Sequence, residues 1–249
     1  MGKVEVFPLR GFSEVKKGSD IAGLVMAALG RSGLELENKD IAVVKQKIVS
    51  KAEGQVVRLK DVVPGRRAEE LAEAEGKDPR LMELVLKESV RVVRKGHGVV
   101  ITETKHGFVC ANAGVDQSNV GNGYASLLPL DSDLSARRIR ETLESHTGKR
   151  LAVIITDTFG RPWRRGQTDV AIGCSGIDPL FSFRGKVDRF GYALRVTEPA
   201  VVDEVAGAAE LVMGKLERVP AAVVRGVRYA VGEGGVRALI MARERDLFR

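Results

Sequence analysis

The chain has 249 residues, 44% of them hydrophobic, enough to bury a sizeable core as one large domain or two small ones. Its 28 glycines against 8 prolines fit an ordered chain with many tight turns, and a net charge of +7 fits a basic enzyme or a protein with a phosphate-rich partner. Two separated cysteines (Cys110, Cys174) and three histidines without metal spacing argue against a disulfide framework, a zinc motif or a His-rich centre, and 5% aromatics argue against a single-strand nucleic-acid platform.

Residues 4–9 alternate as a strand and turn at Gly11. Residues 20–29 have a helical period behind Asp20, a potential cap. Residues 40–50 (DIAVVKQKIVS) are rich in β-branched side chains, which predicts a buried strand ending in Ser50-Lys51. Residues 67–93 read as charged helix, broken into two at Lys77-Asp78-Pro79 because a residue before proline avoids the α region. Residues 98–104 and 107–110 predict a hairpin, and residues 112–123 (NAGVDQSNVGNG) a polar loop. A helix over 132–145 would be capped by Asp131, Ser132 or Asp133.

Residues 151–156 (LAVIIT) form a continuous apolar run, which predicts a strand covered on both faces. Residues 170–177 and 193–197 are further candidate strands. Residues 199–216 predict a long helix with Pro199 in its first turn, 221–225 a strand, and 234–241 a short helix. Strand–helix alternation mixed with hairpin signals predicts an α+β fold, mixed sheets with flanking helices. No 20–50-residue period and no linker stands out. A single domain over 1–249 is expected, with any lobe boundary near 61–70 or 121–131. No apolar run is long enough to span a bilayer, and no leader-like region opens the sequence, so the expected location is cytoplasmic, with no membrane partner.

The common nucleotide motifs are missing. Five Gly-Lys dipeptides occur, but none precedes Ser or Thr, so there is no P-loop. There is also no dinucleotide fingerprint, GxSxG or HExxH. The chemistry concentrates instead in ITDTFGRPWRRGQTDVAIG, residues 155–173. A carboxylate and a hydroxyl, Asp157 and Thr158, at the C-terminal end of a buried strand sit where open α/β sheets bind ligands, and their oxygens suit magnesium or manganese. Arg161, Arg164 and Arg165 could neutralise an anion through paired N–H donors; taken singly, each would read as a solvated basic face.

The loop NAGVDQSN adds Asp116 and Asn119, which alone would read as an Asx-turn but with Asp157 could hold metal against a polyphosphate. Ser50-Lys51 would suit a phosphate or a purine edge, although taken alone it reads as a solvated turn. Glu210 is acidic within an apolar helix, and Gly214-Lys215 after Met213 reads as a helix C-cap with a favourable cation. A nucleic-acid-binding protein is the competing class; two loop aspartates that would repel phosphate without a metal count against it.

The segments DIAVVKQKIVSKAEGQVV, GKDPRLMELVLKES, NAGVDQSNV, ITDTFGRPWRRGQTDVAIG and DEVAGAAELVMGK, in this order, resemble the archaeal coenzyme F420-0:γ-glutamyl ligases. The resemblance implies an uncommon α+β ligase fold in an intertwined homodimer. It implies a GTP-dependent enzyme that joins L-glutamate to F420-0 through an acyl phosphate, with a pair of Mg2+ or Mn2+ ions, K+, and no nucleic-acid partner. A related ligase acting on another phosphorylated acid would look the same.

Carried over by motif, Asp116, Asp157 and Thr158 would ligate metal. Gly11, Phe12, Ser13, Glu14, Ser50, Lys51, Asn119, Met213, Gly214 and Lys215 would lie along the nucleotide. Asp116, Asp157, Arg161 and Arg164 would form the catalytic set. The ammonium of Lys215 cannot ligate a metal, so only its backbone could approach one.

Overall fold

The computed structural model describes residues 2–247. Among them, a central five-stranded sheet has the order β1 (Glu5–Leu9), β10 (Ala221–Arg225), β2 (Ile41–Lys45), β8 (Ala152–Arg161), β9 (Arg164–Ser175). All neighbours pair antiparallel except β2 and β8, which run parallel with Ile41 opposite Ala152 and Lys45 opposite Thr156.

The apolar run of β8 is covered on both faces, as its composition predicts. Val153 and Ile155 pack with α1 (Ile21–Ser32), α2 (Gln46–Glu53) and α5 (Ser132–Thr147). Ala152 and Ile154 pack with α6 (Val201–Met213) on the other side. Each fully buried Val or Ile contributes about 1.5–3 kcal/mol, so this run anchors whatever lies at its end.

A third apolar cluster gathers residues from 59 to 125. It involves α3 (Arg66–Glu75), α4 (Pro79–Lys87), the antiparallel sheet β4 (Ser89–Gly96), β5 (Val99–Thr104), β6 (Val109–Ala111), and the ribbon of β3 (Val56–Arg58) with β7 (Tyr124–Ser126). The α+β class is observed. The two helices split at Asp78, whose side chain accepts from the Arg80 N–H at 2.8 Å, and Asp131 caps α5 by accepting from Leu134 at 2.9 Å.

Several expectations fail. Residues 40–50 are not one strand: β2 stops at Lys45, and α2 begins at Gln46. Ile48, Val49 and Ala52 meet the core at helical spacing, and Gly54 ends the helix in the left-handed region. Residues 89–93 are strand, not helix, as the alternating Val90 and Val92 allow. Residues 193–197 form no strand beyond a single bridge of Ala193 to Val187. Pro199 precedes α6 instead of joining its first turn, and the helix expected over 234–241 is a 3-10 turn over Val236–Leu239. Asp20 precedes α1 without a side-chain cap bond.

Candidate active site

Residues 155–173 depart furthest from the expected strand and loop. The strand does not end at Asp157 in a loop; β8 and β9 continue as a hairpin whose two-residue turn is Pro162-Trp163, with Trp163 in the left-handed region at φ 61. Arg161 pairs with Arg164 at this exposed tip, and the Arg161 guanidinium donates to the Arg165 carbonyl at 2.8 Å. Four residues of strand place Arg161 roughly 13 Å along the chain from Asp157. Arg161, Arg164 and Arg165 therefore do not surround the Asp157 carboxylate within this chain.

Asp157 instead meets α2. Because β2 and β8 are parallel, the helix that starts right after Lys45 opens beside Thr156-Asp157. The unpaired N–H groups of a first helical turn favour negative charge. Lys47, on that turn, extends its ammonium to within 2.6 Å of Asp116 Oδ2 and 2.9 Å of Ser126 Oγ. Asp116 is pinned by backbone bonds to Ser126 on β7 and accepts from Ser118. Burial works against its charge, but the Lys47 and Ser118 bonds outweigh it and hold the carboxyl below the usual range.

Asp157 is half-buried, and burial pushes its carboxyl up to about 6, although the Thr158 N–H, Lys47 and Gln46 pull it down and Asp169 adds to the rise. The site thus joins Asp116 and Asp157 with one ammonium between two carboxylates.

A second acidic layer lies behind. Thr158 Oγ1 donates to Asp169 Oδ1 at 2.6 Å, across the β8–β9 pair. Glu210 on α6 neighbours Asp169, and burial and that carboxylate raise the Glu210 carboxyl. Lys45 compensates: its ammonium is 2.6 Å from Glu210 Oε2 and 2.7 Å from the Gly214 carbonyl. Gln46, Lys47, Lys45 and Asp169 received no role from the sequence. The i,i+4 spacing of Lys47 and Lys51 was the available signal; Asp169 offered none, since its position depends on cross-strand register.

The other expected residues divide. Ser50 is fully buried on α2, not at a strand end, and donates to Gln46 Oε1 at 2.8 Å, so it orients Gln46. Lys51 pairs with Glu14 at 2.6 Å and ties α2 to the turn of Gly11, Phe12, Ser13 and Glu14; Gly11 holds φ 79 while its carbonyl accepts from Arg31 at 2.8 Å. Asn119 is exposed in the Asp116 loop with φ 58. Met213 is fully buried at the end of α6, Gly214 caps it with φ 57, and Lys215 is exposed. Among the described residues no group of three His, Cys, Asp or Glu is arranged to hold a metal.

Two carboxylates and a hydroxyl still fit a hard divalent ion, which takes its remaining oxygens from phosphate and water. Thr158 can offer a lone pair while its proton goes to Asp169, and the Lys47 ammonium balances the charge of Asp116. Lys215 supplies no ligand through its ammonium. Among the described residues, no helix is long and apolar enough to cross a membrane.

The family described as F420-0:Gamma-glutamyl ligase matches residues 11–226. The coenzyme F420:L-glutamate ligase of Methanothermobacter thermautotrophicus is 46% identical over 249 residues, 99% of each chain. That of Methanocaldococcus jannaschii is 45% identical over 215 residues, 86% of each chain. That of Methanopyrus kandleri is 43% identical over 252 residues, 99% of this chain and 97% of the other. A family match across most of the chain, with end-to-end relatives at this identity, places the protein in the F420-0:γ-glutamyl ligase family.

Proposed function

We propose that this chain is a GTP-dependent ligase that forms an amide between coenzyme F420-0 and L-glutamate in coenzyme F420 biosynthesis. The named activity of its relatives supports the substrates. The observation that carries the nucleotide part is the Lys47 ammonium set between Asp116 and the neighbourhood of Asp157, at the mouth of α2. A phosphate chain suits that combination of ammonium, helix N-terminus and two carboxylates only when cations accompany it.

In the proposed reaction the terminal carboxylate of F420-0 attacks the γ-phosphorus of GTP, the bond to GDP breaks, and an acyl phosphate forms. The free amine of L-glutamate then attacks the acyl carbon, phosphate leaves, and the amide remains. Asp116, Asp157 and Thr158 would hold Mg2+ or Mn2+, which when bound offsets the charge on the transferring phosphoryl group. Lys47 supplies a fixed positive charge beside the phosphates, Gln46 and Ser50 hold the first turn of α2, and Asp169 fixes the Thr158 hydroxyl. No side-chain nucleophile is needed, since positioning and electrostatics dominate such transfers.

A K+ ion, contacts of Asn119 and Gly214 with the nucleotide, and a homodimer in the cytoplasm complete the proposal; Met213, fully buried, supports the end of α6 from within the core.

The test is GDP release and glutamyl product measured together. Both should require the divalent ion, F420-0 and L-glutamate. GDP release that ignores L-glutamate and yields no amide would reject the ligase assignment.

A further inference from the structure

A cleft of about 480 Å3 opens just past the end of α2, where Gln55 joins its wall, between the start of α5, the β5–β6 turn and the 3-10 turn over Val236–Leu239. Nothing in the reaction above uses it. Its wall includes Lys105, His106, Asp131, Ser132, Asp133, Arg137 and Arg237. Gly173 brings α5 this close to β9: a Cβ there would collide with the Ser132 backbone.

Four features point to a ligand of mixed charge. Arg137 and Arg237 are exposed, and neither guanidinium makes a hydrogen bond or ion pair among the described residues. The 16-residue helix α5 begins here, and a helix start favours anions. Two polar atoms of the wall are buried without a hydrogen-bond partner: Ser132 Oγ, on a residue 5% exposed, and His106 Nδ1, whose ring places Nε2 3.0 Å from the Pro129 carbonyl. Buried polar atoms left unpaired cost free energy that a bound group would recover. Asp131 and Asp133 face the same space with oxygens left over, since Asp131 Oδ1 caps α5 and Asp133 Oδ1 accepts from Cys174 and Val236.

Three cations and three acids (Glu88 with Asp131 and Asp133) leave the wall balanced, so a polyphosphate is not its match. A zwitterion with two carboxylates is. The cleft also adjoins the reacting end of β8: Phe108 in its wall meets Phe159 edge-on at 6.1 Å, two residues beyond Asp157.

Resting on the ligase function above, we infer that this cleft is the subsite for the incoming dicarboxylic amino acid. The two carboxylates of L-glutamate pair with Arg137, Arg237 and the Ser132 hydroxyl, while its ammonium faces Asp131 and Asp133 until the amine is released to react.

Saturation-transfer NMR with L-glutamate, and steady-state kinetics with each substrate varied, on the full chain and on Arg137→Ala and Arg237→Ala, test this. Each substitution should raise the KM for L-glutamate by about tenfold, as for loss of a charge-assisted hydrogen bond, and weaken the NMR signal. The KM for GTP and for F420-0 should stay within about twofold, with melting temperatures unchanged. An unchanged KM for L-glutamate in both variants overturns the assignment. So does a rise confined to F420-0, which would give the cleft to the coenzyme's acidic tail. If the unmodified chain forms no glutamyl product, the ligase assignment falls separately, and the NMR arm still decides whether the cleft binds the amino acid.

Discussion

The parallel pair β2–β8 has a carboxylate at each end, and the fold treats the two in opposite ways. At the entry end, Asp40 is 1% exposed and fully compensated: Arg225 donates at 2.9 and 2.7 Å, and the Glu37 N–H at 2.8 Å. At the exit end, Asp157 is half-buried with its carboxyl pushed up to about 6, and Lys47 beside it is bonded to Asp116 instead. A carboxylate that is buried and fully paired holds a structure together. One that is buried and short of cations is positioned to receive one.

Removing each charge in turn separates the two ends of the pair. Asp157→Asn should lower the glutamyl-transfer kcat by about 10^3-fold, the scale of losing one preorganised electrostatic element, while the protein stays folded. A variant retaining most of its turnover would show that the exit end is not the reacting end. Removing the partner at the entry end should do the reverse. Arg225→Ala leaves Asp40 buried with the Glu37 N–H but without its cation, so urea unfolding should report a loss of about 3 kcal/mol. The fraction still folded should keep its KM for GTP.

A pH series refines the contrast. The folded carboxyl of Asp157 lies near 6, above its unfolded value of about 3.9, so the proton binds the folded state more tightly. Its contribution to stability is complete below about pH 4 and is lost as pH rises toward 6. In metal-free protein, Asp157→Asn should therefore gain about 2 kcal/mol on the native chain between pH 4 and 7, the figure being reduced for partial exposure. Equal pH profiles for the two proteins would contradict the assignment. The smallest effect concerns the thiols. Burial pushes Cys110 and Cys174 up to about 12, so alkylation at neutral pH should modify neither until the chain unfolds.

The sequence made the exit end legible and left the hairpin obscure, for physical reasons. LAVIIT reads as a doubly covered strand because burial on both faces demands an unbroken apolar run. The pairing of Asp116 with Asp157 was visible only as two acids in polar surroundings. Lys47 was hidden because IAVVKQKIVS has enough β-branched residues to pass as one strand, whereas tertiary packing makes residues 46–53 helical. The arginine cluster looked like part of the site because sequence adjacency ignores the 3.3 Å per residue of an extended strand. Asp169 and Glu210 meet through register and helix packing, which no local pattern encodes.

The lone parallel step between β2 and β8 also governs how the molecule comes together. The chain leaves the sheet at Lys45, builds the 59–125 cluster and α5, and returns only at Ala152. Closing so long an excursion costs entropy that local contacts do not repay until late. Lys47, Asp116 and Asp157 sit at the start, middle and end of that excursion, so the proposed catalytic centre should be among the last parts to assemble during refolding. A truncated or stalled chain would then show secondary structure before it shows any affinity for nucleotide.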